Sequence, residues 1–385
     1  MSRVVVVLWC DAATPHADGF VNRNQLVVES LRRHHDVTVL GIAPDEAALV
    51  EVVDDPFIEP DAFAPLTSKA SRVRRLVELR AGRAGFARYE RRLTQRLRDL
   101  RPEAIVAMTY RQCDLVRSMR GVAPTVLFAE ERFGRVGGMR RSKIPPLLSN
   151  ALGRAQRDVA RGLPVVAVLS EEEVAWASRR YESPVVVVPH GFDHRFWEAD
   201  VAPNADAGPF DVLVIGNLQL DRTVGPLVSI LDELDGGGWP EGLRIVAISA
   251  TGYAPALAAR VGKNLVLPGA VDDPRPFYRG AAATLVPAFR AFGTKNGIIQ
   301  GWGARCPVVT TPASAATVGA TNGSDVLVGE DPRALAELLR SIPTRDLQPV
   351  VDGGTTTLWR NFSARAHDDS LDVLVAELVA PAEVQ

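Results

Sequence analysis

Apolar residues in this chain come in short blocks that are hydrophobic at nearly every position: VVVVLW from Val4, DVTVLGI from Asp36, AIVAM from Ala104, TVLFA from Thr125, VVAVLS from Val165 and VVVVP from Val185. A strand with one wet face alternates, whereas a strand covered on both faces does not, so these blocks predict a parallel sheet between helices. The segments between them carry helical spacing, and the first half reads as a doubly wound α/β sheet. A second series follows: FDVLVIG from Phe210, LRIVAIS from Leu243, NLVLPG from Asn264, ATLVPA from Ala283, PVVTTP from Pro307 and DVLVGED from Asp325, with helix-like segments such as PRALAELLRSI after them. The stretch PHGFDHRFWEADVAPNADAG, rich in Pro, Gly, Asp and Asn, predicts the linker between two sheets of one kind.

A length of 385 residues fits two domains, each with its own core. With 46% hydrophobic and 23% charged residues and a net charge of −2, the composition is that of a soluble globular protein with no general affinity for nucleic acid. Cys10, Cys113 and Cys306 are far apart, which excludes a disulfide framework or a paired-cysteine zinc site and fits a reducing, cytoplasmic setting. VVVVLW has neither a basic leader nor a small-residue cleavage site, and no apolar run is long enough to span a bilayer. One segment departs from the charge balance: Arg72 to Asp99 holds ten arginines on a helical pattern with apolar points at Val73, Leu76, Phe86, Tyr89, Leu93 and Leu97. It reads either as a solvated basic face or as a surface for anionic lipid or an anionic acceptor, with peripheral membrane contact, and ionic-strength dependence separates the readings.

Chemistry enters at FGTKNGIIQGWGARCPVV, Phe292 to Val309. Gly293-Thr294-Lys295 follows an apolar strand and precedes a helix, at the sheet edge where open α/β proteins bind ligands. Free N–H groups at a helix start attract anions, glycine lets an oxyanion approach, and a lysine suits phosphate. Glycine before a helix is also common in proteins without such a site.

Five pieces in register carry a resemblance: VVVVPHGFDHRFW, VIGNLQLDRTVGPL, LVLPGAVDDPRPFYRGAAATLVPA, FGTKNGIIQGWGARCPVVTTP and DVLVGEDPRALAELLRSI. Their order and spacing resemble the retaining glycosyltransferases of family 4, well over residues 185 to 345 and faintly over the whole chain. The resemblance implies a GT-B fold, with two Rossmann-like domains facing each other across a cleft. Residues 1–188 would form the acceptor-binding domain, completed by a C-terminal helix at 366–385, and 189–365 the donor-binding domain. It implies transfer of a sugar from a nucleotide-sugar donor (UDP, GDP or dTDP) to a small-molecule acceptor, with retention and no metal or other cofactor. The Ala-, Val- and Arg-rich, lysine-poor composition suggests a high-GC bacterial source, where such transferases often build small glycosides or antibiotic precursors.

Carried over residue by residue, the family's phosphate-gripping Arg and Lys fall on Asn217, after Gly216, and on Arg222. Only Arg222 stays cationic, so Arg222 and Lys295 are implied to hold the leaving diphosphate, while Asn217 equally suits a turn. Gly216, Gly293, Thr294, Asn296 and Gln300 complete the implied donor site. The family's paired glutamates fall on Phe292 and Gln300: an aromatic ring replaces the residue that faces the sugar, and an amide replaces the carboxylate that grips the ribose hydroxyls. TPHADGFVNRN resembles the family's glycine loop, which closes over the donor phosphates, with Gly19 as the glycine; Asn22 and Arg23 open the next helix, and Arg23 is implied to contact the acceptor. In PTVLFAEERF, Glu130 and Glu131 take the positions of the family's His and Asp and would orient an acceptor, or merely cap a helix. Two other readings stay open: a 2-epimerase-like isomerase using Glu130 or Glu131, and a pseudo-glycosyltransferase that only binds. His190 and His194 flank Asp193, but Gly191 and a proline break any helix there and no third metal ligand is near.

Overall fold

The computed structural model describes residues 1–9, 19–43, 53–58, 85–108, 113–129, 162–290 and 293–380. The chain divides into two compact units, one running to Gly191 and resuming at His367, the other spanning Phe192–Ala366.

In chain order the first unit contains β1 (Arg3–Trp9), α1 (Gly19–His34), β2 (Asp36–Ala43), β3 (Asp55–Ile58), α2 (Gly85–Leu100), β4 (Ala104–Ala107), α3 (Cys113–Arg120), β5 (Thr125–Phe128), β6 (Val165–Val168), α4 (Glu171–Tyr181) and β7 (Val185–Val187). The strands form one parallel sheet in the order β3-β2-β1-β4-β5-β6-β7. Every residue of β4, β5 and β6 is buried, which accounts for sequences that are apolar throughout except at Thr125. Because successive side chains point to opposite faces, β1 feeds two cores. Val5 and Val7 join Leu93 and Leu97 of α2, while Val4, Val6 and Leu8 join Val27, Val28 and Leu31 of α1.

β3 is absent from the apolar pattern because it is short, carries Pro56 and lies at the sheet edge. A proline is tolerated there because no further strand needs its missing N–H. On α2, Leu93 and Leu97 are buried one turn apart and Arg91, Arg92, Arg96 and Arg98 are exposed, an amphipathic helix with a solvated basic face. Residues 72–84 of the arginine-rich run lie outside the described residues. No helix among the described residues is long and apolar enough to cross a membrane.

The second unit contains α5 (His194–Glu198), β8 (Phe210–Ile215), α6 (Asp221–Gly237), β9 (Leu243–Ile248), α7 (Pro255–Ala258), β10 (Leu265–Gly269), α8 (Arg275–Gly280), β11 (Ala283–Val286), α9 (Asn296–Gly303), β12 (Val308–Thr310), α10 (Pro312–Ala316), β13 (Leu327–Val328), α11 (Pro332–Ser341) and α12 (Gln348–Phe362). Its parallel sheet runs β10-β9-β8-β11-β12-β13. The last helix, α13 (Ala364–Val379), returns to the first unit, where Leu371, Leu374, Val375 and Leu378 pack beside Val4 and Val6. Their i, i+3, i+4, i+7 spacing is the apolar stripe that buries a helix on a sheet.

Candidate functional site

In the second sheet the strand order reverses between β8 and β11: connections from β8 lead one way along the sheet and those from β11 the other. Loops leaving the carboxyl ends of two such strands diverge and open a crevice, the usual ligand position in an open α/β sheet. The first loop, 216–220, begins with Gly216-Asn217, and the second, 287–295, ends with Gly293-Thr294-Lys295.

After β8, the Gly216 N–H donates to the Ile248 carbonyl at 3.2 Å, continuing the pairing with β9. The Asn217 Oδ1 accepts from the Gln219 N–H (3.1 Å) and from the Thr251 hydroxyl (3.0 Å). The Leu218 N–H donates to the Ser249 Oγ at 3.3 Å, and the Ser249 and Thr251 hydroxyls lie 3.2 Å apart. This hydroxyl chain ties the β8 loop to the end of β9 and was not legible beforehand, because it joins residues more than thirty positions apart. Asn217 therefore shapes the turn with its oxygen and keeps its exposed Nδ2 donors. Arg222 lies in the first turn of α6, which starts without a side-chain cap; its own side chain lies outside the described residues.

After β11, Phe292 lies outside the described residues, and Gly293 takes φ +61°, a left-handed value that suits glycine. Lys295 is half-buried and immediately precedes α9, which has no side-chain cap, and Asn296 is the first residue of that helix. Thr294 places its Oγ1 in the interior with no hydrogen-bond partner among the described residues. α9 lies close against the sheet: a Cβ at Gly301 would stand 2.7 Å from the Val308 Cγ2 and 2.8 Å from the Thr284 Cγ2. Trp302, on the buried side of α9, donates from Nε1 to the Asp325 carbonyl at 2.8 Å. The glycines and the tryptophan behind the Gly-Thr-Lys loop thus seat the helix whose N-terminus faces the switch point.

Gln300, one turn into α9, accepts at Oε1 from the hydroxyl of Tyr278 on α8, 3.2 Å away. Tyr278 is fully buried, and burial raises its pKa, so the phenol remains a donor. Sequence reasoning did not single out Tyr278, because its pairing with Gln300 depends on the packing of α8 on α9. Cys306 is buried and its thiol is pushed up to about 12 by desolvation, a packing residue with no thiolate character.

In the first unit the order reverses between β1 and β4. Gly19 is the first residue of α1. Arg23 is buried, and its Nη2 donates to the Met108 carbonyl just past β4 (3.2 Å) and to the Asn24 Oδ1 (2.9 Å). Glu130 and Glu131 lie outside the described residues. His190 sits with Nδ1 2.6 Å from the Gly191 carbonyl, and His194 stacks on Trp359 with ring centroids 4.1 Å apart. Among the described residues no group of three or more His, Cys, Asp or Glu could hold a metal ion.

The unit that carries this crevice also carries a family signature. Residues 210–343 match the family model described as "Glycosyl transferases group 1". No curated protein matches the chain by sequence. Among solved structures, Anabaena HepE in complex with UDP and glucose superposes with a TM-score of 0.70 at 12% identity, over 98% of this chain and 100% of that one. Sucrose-phosphate synthase from Thermosynechococcus elongatus gives 0.69 at 12% identity over 99% and 100%. A glycosyltransferase from Rickettsia africae gives 0.67 at 12% identity over 99% of each chain. The fold is that of the GT-B glycosyltransferases.

Proposed function

We propose that the protein is a glycosyltransferase that moves a sugar from a nucleotide-sugar donor to a small-molecule acceptor, with retention at the anomeric carbon. One observation carries this reading. The switch-point edge of the second unit gathers a lysine, a buried hydroxyl with no partner among the described residues and two helix starts without side-chain caps, all within the stretch that matches the family model. The solved structures it resembles include Anabaena HepE in complex with UDP and glucose.

In this reading the acceptor oxygen forms a bond to the anomeric carbon as the bond from that carbon to the diphosphate oxygen breaks. The bonding pair leaves with the diphosphate, and the acceptor's proton passes to a departing phosphate oxygen. Charge therefore builds on the diphosphate, where Lys295, Arg222 and the start of α9 supply fixed positive potential. The protein's own cations do this neutralising, so the reading needs no metal.

A panel of nucleotide sugars, scored for free nucleoside diphosphate with and without acceptor, tests the proposal. Acceptor-dependent release supports it. Conversion of the nucleotide sugar into an isomer would replace it with an epimerase, and binding without turnover with a binding protein.

A further inference from the structure

We infer that the Gln300 amide is held by Tyr278 as a hydrogen-bond donor toward the ligand, so that this site recognises acceptor atoms of a nucleoside diphosphate and gains little from its sugar hydroxyls. The inference rests on the nucleotide-sugar reading above and deepens it.

Tyr278 is 1% exposed, and a buried hydroxyl that lacks an acceptor is costly. The Thr284 hydroxyl, also beside the phenol, donates to the Leu213 carbonyl at 3.1 Å. Tyr278 directs its proton to the Gln300 Oε1 at 3.2 Å. With its oxygen engaged inward, the half-buried amide has its two N–H groups left for a ligand.

Position along α9 connects this amide to the anion site. Gln300 is four residues beyond Asn296, hence on the same helix face, and helical side chains lean toward the N-terminus. A diphosphate at the start of α9 would leave the sugar of its nucleoside roughly one helical turn away, about 5 Å along the axis.

Asn217 points the same way on independent grounds. The Gln219 backbone N–H can only donate, so the atom it meets at 3.1 Å is the amide oxygen, and Nδ2 is what remains. Lys295 adds a cation just before the helix start. Ligand phosphates find N–H donors in both amides beside the Lys295 cation, while a ligand hydroxyl meets an Asn217 oxygen that already accepts two hydrogen bonds and a Gln300 oxygen with one of its two lone pairs taken by Tyr278. A carboxylate at position 300 would do the opposite and accept from two neighbouring hydroxyls.

Calorimetric titration of the full chain with UDP and GDP, and with their 2′,3′-dideoxy counterparts, tests this. Each pair should bind the wild type within about threefold, the range of a hydrogen bond not made. Gln300→Glu should weaken all of them by charge repulsion yet raise the preference for the hydroxylated nucleotide to about tenfold or more. Tyr278→Phe, checked for an intact fold by its melting curve, releases Oε1 and should raise the preference several-fold. A merely structural role for Tyr278 predicts weaker binding with the ratio unchanged. Wild-type discrimination above about tenfold, or a ratio unmoved in both variants, overturns the inference alone. Failure of every nucleotide to bind overturns the nucleotide reading and this inference with it.

Discussion

His367 donates from Nδ1 to the Pro189 carbonyl at 2.9 Å, joining the point where the chain re-enters the first unit to the strand exit from which it left. The ring lies against Gly191, where a Cβ would stand 3.0 Å from the His367 Cδ2, and Nε2 is buried with no partner among the described residues. Protonating that nitrogen would place an uncompensated charge in the interior, so burial lowers the pKa from 6.5 to about 4.

Stability should therefore depend on pH through this residue. The unfolded chain binds the proton below about 6.5 and the folded chain only below about 4. The contribution is full above pH 6.5, declines as pH falls through that window, and amounts to at most about 3 kcal/mol. At the neighbouring Asp368, burial alone would raise the pKa, but hydrogen bonds to Arg33 and Ser30 and the Arg33 charge outweigh it, so the carboxyl titrates below its ordinary 3.8, outside that window. Urea denaturation at pH 7.0 and 4.5 should show the loss in wild type and a smaller one in His367→Gln. Equal losses in the two would assign the effect elsewhere.

The strand blocks were readable because burial on both faces leaves few polar positions: β4 and β6 have none, and β5 has only Thr125, whose hydroxyl donates to the Ala123 carbonyl. β3 was not, since an edge position accepts Pro56 and needs no apolar run. Gly293-Thr294-Lys295 was visible as a loop before a helix, yet the purpose of Gly301 required knowing which strands α9 covers. Gln300 stood out as an amide in place of a carboxylate. Its orientation was hidden, because it is decided by the phenol of Tyr278 on another helix.

Gly301→Ala tests how closely α9 must approach the sheet. The added methyl would meet side chains at 2.7 and 2.8 Å, so the helix must lift from β11 and β12. Overpacking of this kind costs about 1–3 kcal/mol. The melting temperature should fall, and the thermal shift produced by a nucleoside diphosphate should shrink with it, because the helix N-terminus moves too. A destabilised variant that keeps the full ligand shift would separate α9 from binding.

His194 offers an optical readout. Its ring stacks on the half-exposed Trp359 at an interplanar angle of 12°, with Phe192 edge-on at 4.7 Å. Burial lowers its pKa, partly opposed by Glu198 and Asp193. The neutral ring should persist below pH 6.5 and then protonate against the indole, quenching its emission. The wild-type minus Trp359→Phe fluorescence difference should titrate with a midpoint under 6.5 and vanish in His194→Phe. A midpoint above 6.5 would contradict the burial argument.

The cations of the switch-point edge provide the most direct test of the proposed function. Lys295 adjoins the start of α9 and Arg222 lies in the first turn of α6, each behind a strand that borders the reversal. A charge-assisted bond to phosphate contributes about 1.5–3 kcal/mol, so Lys295→Ala and Arg222→Ala should each weaken nucleoside diphosphate binding by at least about tenfold. Lys295→Arg should keep most of the affinity, since the charge stays at the helix start. Arg260 makes a useful control, as it pairs with Asp232 and Asp235 on the outer side of α6, where ion pairs contribute little. Arg260→Ala should leave the dissociation constant unchanged. Salt should weaken wild-type binding more than that of either switch-point variant, because each variant has already lost one screened contact. Equal affinity in wild type, Lys295→Ala and Arg222→Ala would remove the diphosphate from this edge.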